Sequence, residues 1–65
     1  MNMLKKLRNE KTQKSMANIF GVTQQAWHSW ESGRTLPSLK LMQLMEEHFS
    51  VRKEEIFFGA FNYKT

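Results

Sequence analysis

Three residues, Gly21, Gly33 and Pro37, interrupt the chain so often that only short helices fit between them. Thr12 can cap a helix that begins at Gln13 and closes at Gly21 about two turns later. Thr23 can cap the next, which runs through Trp30 and stops at Gly33. Pro37 suits the first turn of a fourth helix reaching about Phe49. Before these, Asn2 to about Asn9 carries Leu4 and Leu7 three apart among Lys and Arg, a one-sided apolar stripe. A short fifth helix, about Arg52 to Phe57, has Glu54 and Glu55 in its first turns, where the helix dipole favours acids.

Apolar side chains recur at helical spacing. Met16, Ala17, Ile19 and Phe20 share one arc of the second segment. Leu41, Met42, Leu44, Met45 and Phe49 share one side of the fourth, opposite Lys40, Gln43, Glu46 and Glu47. The pattern predicts an all-α, compact five-helix bundle. The tail beyond Phe58 is rich in aromatics, and Phe61 and Tyr63 alternate as in a short strand or extended segment.

With 65 residues the chain holds one domain and buries about 60% of its unfolded surface, a thin stability margin. Its 40% hydrophobic and 12% aromatic content argues against disorder. There is no Cys, which excludes disulfides, thiolate metal sites and cysteine nucleophiles. All six acids are Glu, so much of the usual material for hydrolytic or metal-assisted chemistry is missing. His28, Ser29 and Glu31 are triad residue types, but neighbours on one helix cannot form a nucleophile–base–orienter geometry. His48 sits on a separate helix, at the edge of its apolar face. We therefore expect no enzyme, no cofactor, no metal site and no small-molecule ligand. Met1 to Glu10 offers no apolar run for a signal peptide, and Ile56 to Phe61 is far short of the roughly 20 residues of a membrane helix. The apolar stripe of Met3, Leu4 and Leu7 is too narrow for strong interfacial binding. The expected location is the cytoplasm, away from membranes.

Charge is distributed unevenly. The net charge is +4. Residues 1–34 carry six bases and two acids, whereas residues 35–65 carry four of each. The excess positive charge thus lies in the N-terminal half, which suits a polyanionic partner. In the third helical segment Gln24, Gln25, His28, Ser29 and Ser32 share one arc, opposite Ala26, Trp27, Trp30 and Glu31. One face is large and apolar. The other is polar, mostly uncharged and built of hydrogen-bonding groups, where a solvated face would more often carry Lys and Glu. Gln can bond bidentately to the N6/N7 edge of adenine, and the major groove admits an α-helix. The alternative is a neutral surface helix that happens to lack charge.

A two-turn helix, the join Gly21-Val22-Thr23 and another short helix have the spacing of a helix-turn-helix. Here the sequence resembles the XRE-like, or Cro/CI-type, transcriptional regulators, which include lambdoid phage repressors. The stretch Gln13 to Ser32 matches the family's twenty-residue motif. Ala17 takes its small site at the helix crossing, Gly21 its turn, and Met16, Phe20, Val22, Trp27 and Trp30 its buried apolar sites. Trp30-Glu31-Ser32-Gly33-Arg34 with Pro37-Ser38-Leu39 resembles the run after the recognition helix, and Val51 to Phe57 the closing helix. The resemblance covers about residues 3–58. One departure is that the chain between Arg8 and Gln13 is about two residues shorter than the usual pattern, which leaves the end of helix one open.

The resemblance implies specific roles. Gln24 and Gln25 would contact bases, with His28 and Ser29 one turn further on as additional readers. His28 has phosphate as an alternative partner. Gln13, Thr23, Ser32, Arg34, Thr35 and Ser38 would contact phosphates; Lys14 and Lys40 would add to these unless they are merely solvated. Arg8 and Glu31 would form an internal ion pair, and Trp27 and Trp30 would lie in the core rather than stack on bases. The implied organisation is a DNA-binding domain over residues 1–58 and a tail over 59–65. Ile56, Phe57, Phe58, Phe61 and Tyr63 are assigned to a homodimer interface on a palindromic operator, since so many aromatics are too many to leave exposed on a small domain; the alternative is that they fold back onto helices one and five. The function expected is that of a repressor-like regulator of double-stranded DNA, as found in phages and other mobile elements. The competing reading within this fold is an antitoxin or accessory protein-interaction module.

Overall fold

A computed structural model describes residues 2–57. They form five helices: α1 (Leu4–Arg8), α2 (Gln13–Phe20), α3 (Gln24–Ser32), α4 (Leu39–Phe49) and α5 (Lys53–Ile56). Among the described residues there is no strand. The aromatic tail from Phe58, with the expected strand and the tail's domain boundary, lies outside the described residues.

The ends of α2 and α3 are built alike. Thr12 Oγ1 accepts from the Ser15 N–H and Thr23 Oγ1 from the Ala26 N–H, each at 3.0 Å. Such caps satisfy amides that have no partner within the helix. At the other end Gly21 and Gly33 take left-handed conformations, with φ of 69° and 81°. The following amides then fold back: Val22 N–H donates to Ala17 C=O and Arg34 N–H to Ser29 C=O. Only glycine adopts this geometry without a steric penalty.

α1 is shorter than its pattern predicts, Leu4–Arg8 rather than Asn2 to Asn9. At its start, Asn2 stands outside the helix, accepting from the Leu4 N–H through Oδ1 and donating through Nδ2 to Trp30 C=O. At its end, Asn9 has φ 60° and ψ −123°, and Lys11 N–H donates to Arg8 C=O. These are the marks of a type II′ turn with Asn9 in the position that glycine prefers. This tight turn is how the shortened connection is closed.

Pro37, expected in the first turn of α4, lies outside the helix: Leu39 is the first helical residue and Ser38 the cap, with Oγ accepting from the Leu41 N–H at 3.2 Å. Pro37 lies before the cap and is buried. α5 is likewise trimmed to Lys53–Ile56. Its first amide is capped from α4: Lys53 N–H donates to Glu46 Oε2 at 2.9 Å.

Leu4, Met16, Ala17, Trp27, Trp30, Met42, Met45, Ile56 and Phe57 form one core drawn from every helix and the residue after α5. Phe20 stacks on Trp27, with ring centroids 5.8 Å apart, and Trp30 meets Trp27 edge-on at 6.0 Å. His48 lies edge-on to Phe20 and Phe49, as its place at the rim of α4's apolar face suggested. Two residues assigned to apolar arcs are instead about half exposed: Ile19 at 47% and Leu44 at 43%. The short helices pack over a narrow stripe, and these two lie at its edge.

Asn9 carries backbone strain that no hydrogen bond of its side chain offsets among the described residues. A non-glycine residue in such a conformation costs on the order of 1–3 kcal/mol. Asn9→Gly is therefore expected to stabilise the domain by about 1 kcal/mol, after the extra chain entropy of glycine is deducted. Thermal denaturation should show a Tm rise of about 4–8 °C.

Candidate nucleic-acid interface

The geometry of α3 begins with its back. Trp27 is wholly buried and Trp30 is 7% exposed, so the helix is anchored by two indoles. Helical periodicity then turns Gln24, Gln25, His28 and Ser32 to the solvent, with Ser29 half-buried between them. An open recess beside this face is lined by Gln13, Gln24, Gln25, His28, Ser29 and Arg34. The structure thus brings together five sequence-predicted contact residues of the recognition segment and the loop, plus Gln13 from α2.

Glu31 ties the face to the rest of the molecule. Arg8 reaches it in a forked pair, Nε to Oε2 at 2.5 Å and Nη2 to Oε1 at 3.2 Å. Trp27 Nε1 donates to Oε2 at 2.6 Å and Gln13 Nε2 to Oε1 at 3.0 Å. The Glu31 side chain is only 6% exposed and that of Arg8 16%. Burial pushes the Glu31 carboxyl up, but the bonds from Arg8, Gln13 and Trp27 and the Arg8 charge outweigh it and hold it below the usual carboxylate range. Arg8 also donates through Nη1 to Lys11 C=O at 2.8 Å, so one guanidinium fixes both α3 and the turn after α1.

The Arg8–Glu31 pair matches expectation. The Gln13 amide, assigned to a phosphate, donates through Nε2 to Glu31 Oε1 at 3.0 Å, and the same nitrogen lies 3.3 Å from Nδ1 of the exposed His28. The link joins α2 to the back and front of α3, and nothing in the spacing of residues 13, 28 and 31 singles it out from ordinary surface contacts.

Several hydroxyls have structural duties. Thr23 and Ser38 accept backbone bonds as caps and retain their own O–H for donation outward. Ser32 Oγ donates to Ser29 C=O at 3.0 Å. Ser29 Oγ and Thr35 Oγ1 share a hydrogen bond of 2.7 Å, which ties the loop after α3 to the helix. That tie from Thr35 was missed by the sequence reading. Lys14, Arg34 and Lys40 are exposed.

The expected dimer residues need correction. Ile56 is wholly buried and Phe57 is 1% exposed, both in the domain's own core. Buried with Leu4, Met42 and Met45 in one cluster, these two side chains expose no surface to a partner. Phe58, Phe61 and Tyr63 lie outside the described residues.

The family model for helix-turn-helix domains matches residues 4–56, nearly the whole described chain. The protein belongs to the XRE-type, Cro/CI-like helix-turn-helix family. It is a DNA-binding regulator of that type, in a family of regulatory domains rather than of enzymes. No curated protein and no solved structure gives a match. Among the described residues no helix is long and apolar enough to cross a membrane, and no cluster of three or more His, Cys, Asp or Glu could hold a metal ion.

Removing Arg8 strands the Glu31 carboxylate with only Gln13 and Trp27, and breaking a buried pair in this way costs roughly 3–5 kcal/mol. Arg8→Ala should lower the Tm far more than Lys5→Ala, which alters an exposed residue; equal shifts would reject the pairing. Because the Glu31 carboxyl is depressed on folding, its contribution is complete above the ordinary glutamate value, about 4.3. It is lost as pH falls through the folded value. Glu31→Gln should flatten that acid limb in a denaturation series run from neutral pH downward.

Proposed function

We propose that the chain is a sequence-specific regulator that lays α3 in the major groove of a palindromic operator and binds as a homodimer, acting as a repressor. The observation that carries this reading is the two-sided character of α3: indoles behind, and exposed amides and an imidazole in front. Gln24 and Gln25 are the base readers, with His28 and Ser29 beside them. Arg34, the free O–H groups of Thr23 and Ser38, and Thr35, Lys14 and Lys40 supply the backbone contacts; Ser32 joins them only by releasing the O–H it gives to Ser29 C=O. Phosphate contacts give most of the affinity and the amide face gives the sequence preference.

Selection of bound sequences from a random duplex pool, repeated at two salt concentrations, tests the reading. A palindromic consensus supports both the groove-reading helix and the two-fold assembly. Gln25→Ala should then lose about 1–3 kcal/mol of discrimination at one base pair, whereas Arg34→Ala should weaken all sequences alike. If Gln24 and Gln25 can both become Ala without changing the preferred site, direct readout by these residues is wrong.

With Ile56 and Phe57 inside the core, the dimer surface falls to other apolar groups. Leu36 and Leu39 are 51% and 61% exposed on either side of buried Pro37, where the chain passes from α3 to α4. We assign the interface to this pair together with Phe58, Phe61 and Tyr63. Binding a palindromic operator requires a two-fold contact that sets two recognition helices about one DNA turn apart, roughly 34 Å. Sedimentation at micromolar concentration should show a dimer that Leu39→Lys dissociates; a clean 7.8 kDa species for the unaltered chain would defeat the assignment.

A further inference from the structure

The large hydrophobic side chains left exposed among the described residues are Ile19, Leu36, Leu39 and Leu44, and all of them border the outer face of α4. Leu36 lies just before the cap of that helix, and Leu39 and Leu44 are on it. Ile19 of α2 meets Leu44 across a shallow recess that Glu47 and His48 also line. The register of α4 is the cause. Met42 and Met45 are buried, and Leu41 and Phe49 pack against the core, which turns Leu39, Lys40, Gln43, Leu44 and Glu47 to the solvent. A helix face that only meets water has no use for so much apolar surface gathered in one place.

The charges on this face have opposite signs at its two ends. Lys40 stands near the start of α4 and Glu47 near its finish, seven residues or about 10 Å apart along the helix. Both are exposed, and neither has an ion-pair partner among the described residues. Their midpoint falls between Gln43 and Leu44. A two-fold axis through that point, perpendicular to the helix, sets Lys40 against Glu47 of the partner subunit and Glu47 against the partner subunit's Lys40. The same axis brings Leu44 up to its own copy. Parallel helices would instead set like charges together. A partner of one sign would satisfy one end and repel the other, whereas a second copy laid antiparallel satisfies both.

We propose that α4 packs antiparallel on α4 of a second copy, with Ile19, Leu36, Leu39 and Leu44 of each chain covered and a Lys40–Glu47 pair at either end. This rests on the homodimer reading above and extends its interface from Leu36 and Leu39 along the whole of α4. The two kinds of contact have different duties. Removing the apolar side chains from water drives association. Exposed ion pairs add little energy, but they decide which way the second helix runs. Packed helices lie about 8–10 Å apart, a gap that a lysine and a glutamate side chain can bridge. Dimer formation therefore weakens only slightly with added salt, while DNA binding weakens steeply.

Sedimentation of the full chain without DNA tests the pairing apart from any phosphate contact of Lys40. Lys40→Glu and Glu47→Lys each set like charges together at both ends, so each should raise the dimer dissociation constant about tenfold. The variant carrying both changes reverses every pair and should dimerise within about twofold of the unaltered chain. Far-ultraviolet circular dichroism should be the same for all of them, since both positions are exposed. The chain has no cysteine, so Gln43→Cys, beside the axis, should oxidise to a covalent dimer, and Lys5→Cys on α1 should not. A dimer that Leu39→Lys dissociates but neither charge reversal weakens would overturn the antiparallel pairing and leave the homodimer reading standing. So would a double variant no better than the singles, or equal cross-linking through positions 43 and 5. A monomeric unaltered chain would overturn both readings, and the face would then belong to a different protein.

Discussion

The carboxylate of Glu31 is the point on which the first three helices converge. It receives a guanidinium from α1, an amide from α2 and an indole N–H from its own helix, and it is almost closed off from water. A charge so placed is tolerable only because every direction of approach is occupied by a donor. In a domain with few buried side chains, this cluster sets the angle between helices more strictly than apolar packing can. Hydrophobic contact fixes which faces meet; directional bonds fix how they are turned.

Around that anchor, the motif uses one local device twice. α2 and α3 each start on a threonine cap and each stop on a left-handed glycine whose following amide bonds back into the last turn. Both helices are thereby cut to a defined length, which matters because α3 has only two turns in which to face its indoles inward and its amides outward. The α1–α2 junction lacks such a glycine and closes with Asn9 in a strained conformation. The order imposed there comes from Arg8, which binds the carbonyl of Lys11 across the turn.

Much of this was legible from residue types. Thr12, Thr23, Gly21 and Gly33 announce helix ends because their chemistry has few other uses in such places. The alternation of Trp27 and Trp30 with Gln24, Gln25 and His28 announces the orientation of α3, since indoles are large enough to decide which side faces the core. The Arg8–Glu31 pair came from family resemblance; 23 positions of separation carry no local signal. Ile19 and Leu44 were misplaced because a helical wheel assigns arcs without knowing how wide a neighbouring helix is. Ile56 and Phe57 were misread as surface because apolar residues near the end of a chain look the same whether they seal a core or await a partner. The inward turn of Gln13 was invisible for a different reason: an amide has donors and an acceptor, and only coordinates reveal which it spends on its neighbours.

The start of the described chain is stitched to its far end. Asn2 bonds to the carbonyl of Trp30, and the Met3 N–H donates to the carbonyl of Ile56 at 3.0 Å. α1 therefore lacks its full docking surface until α5 is in place, so any loosening of the fifth helix is passed directly to the first.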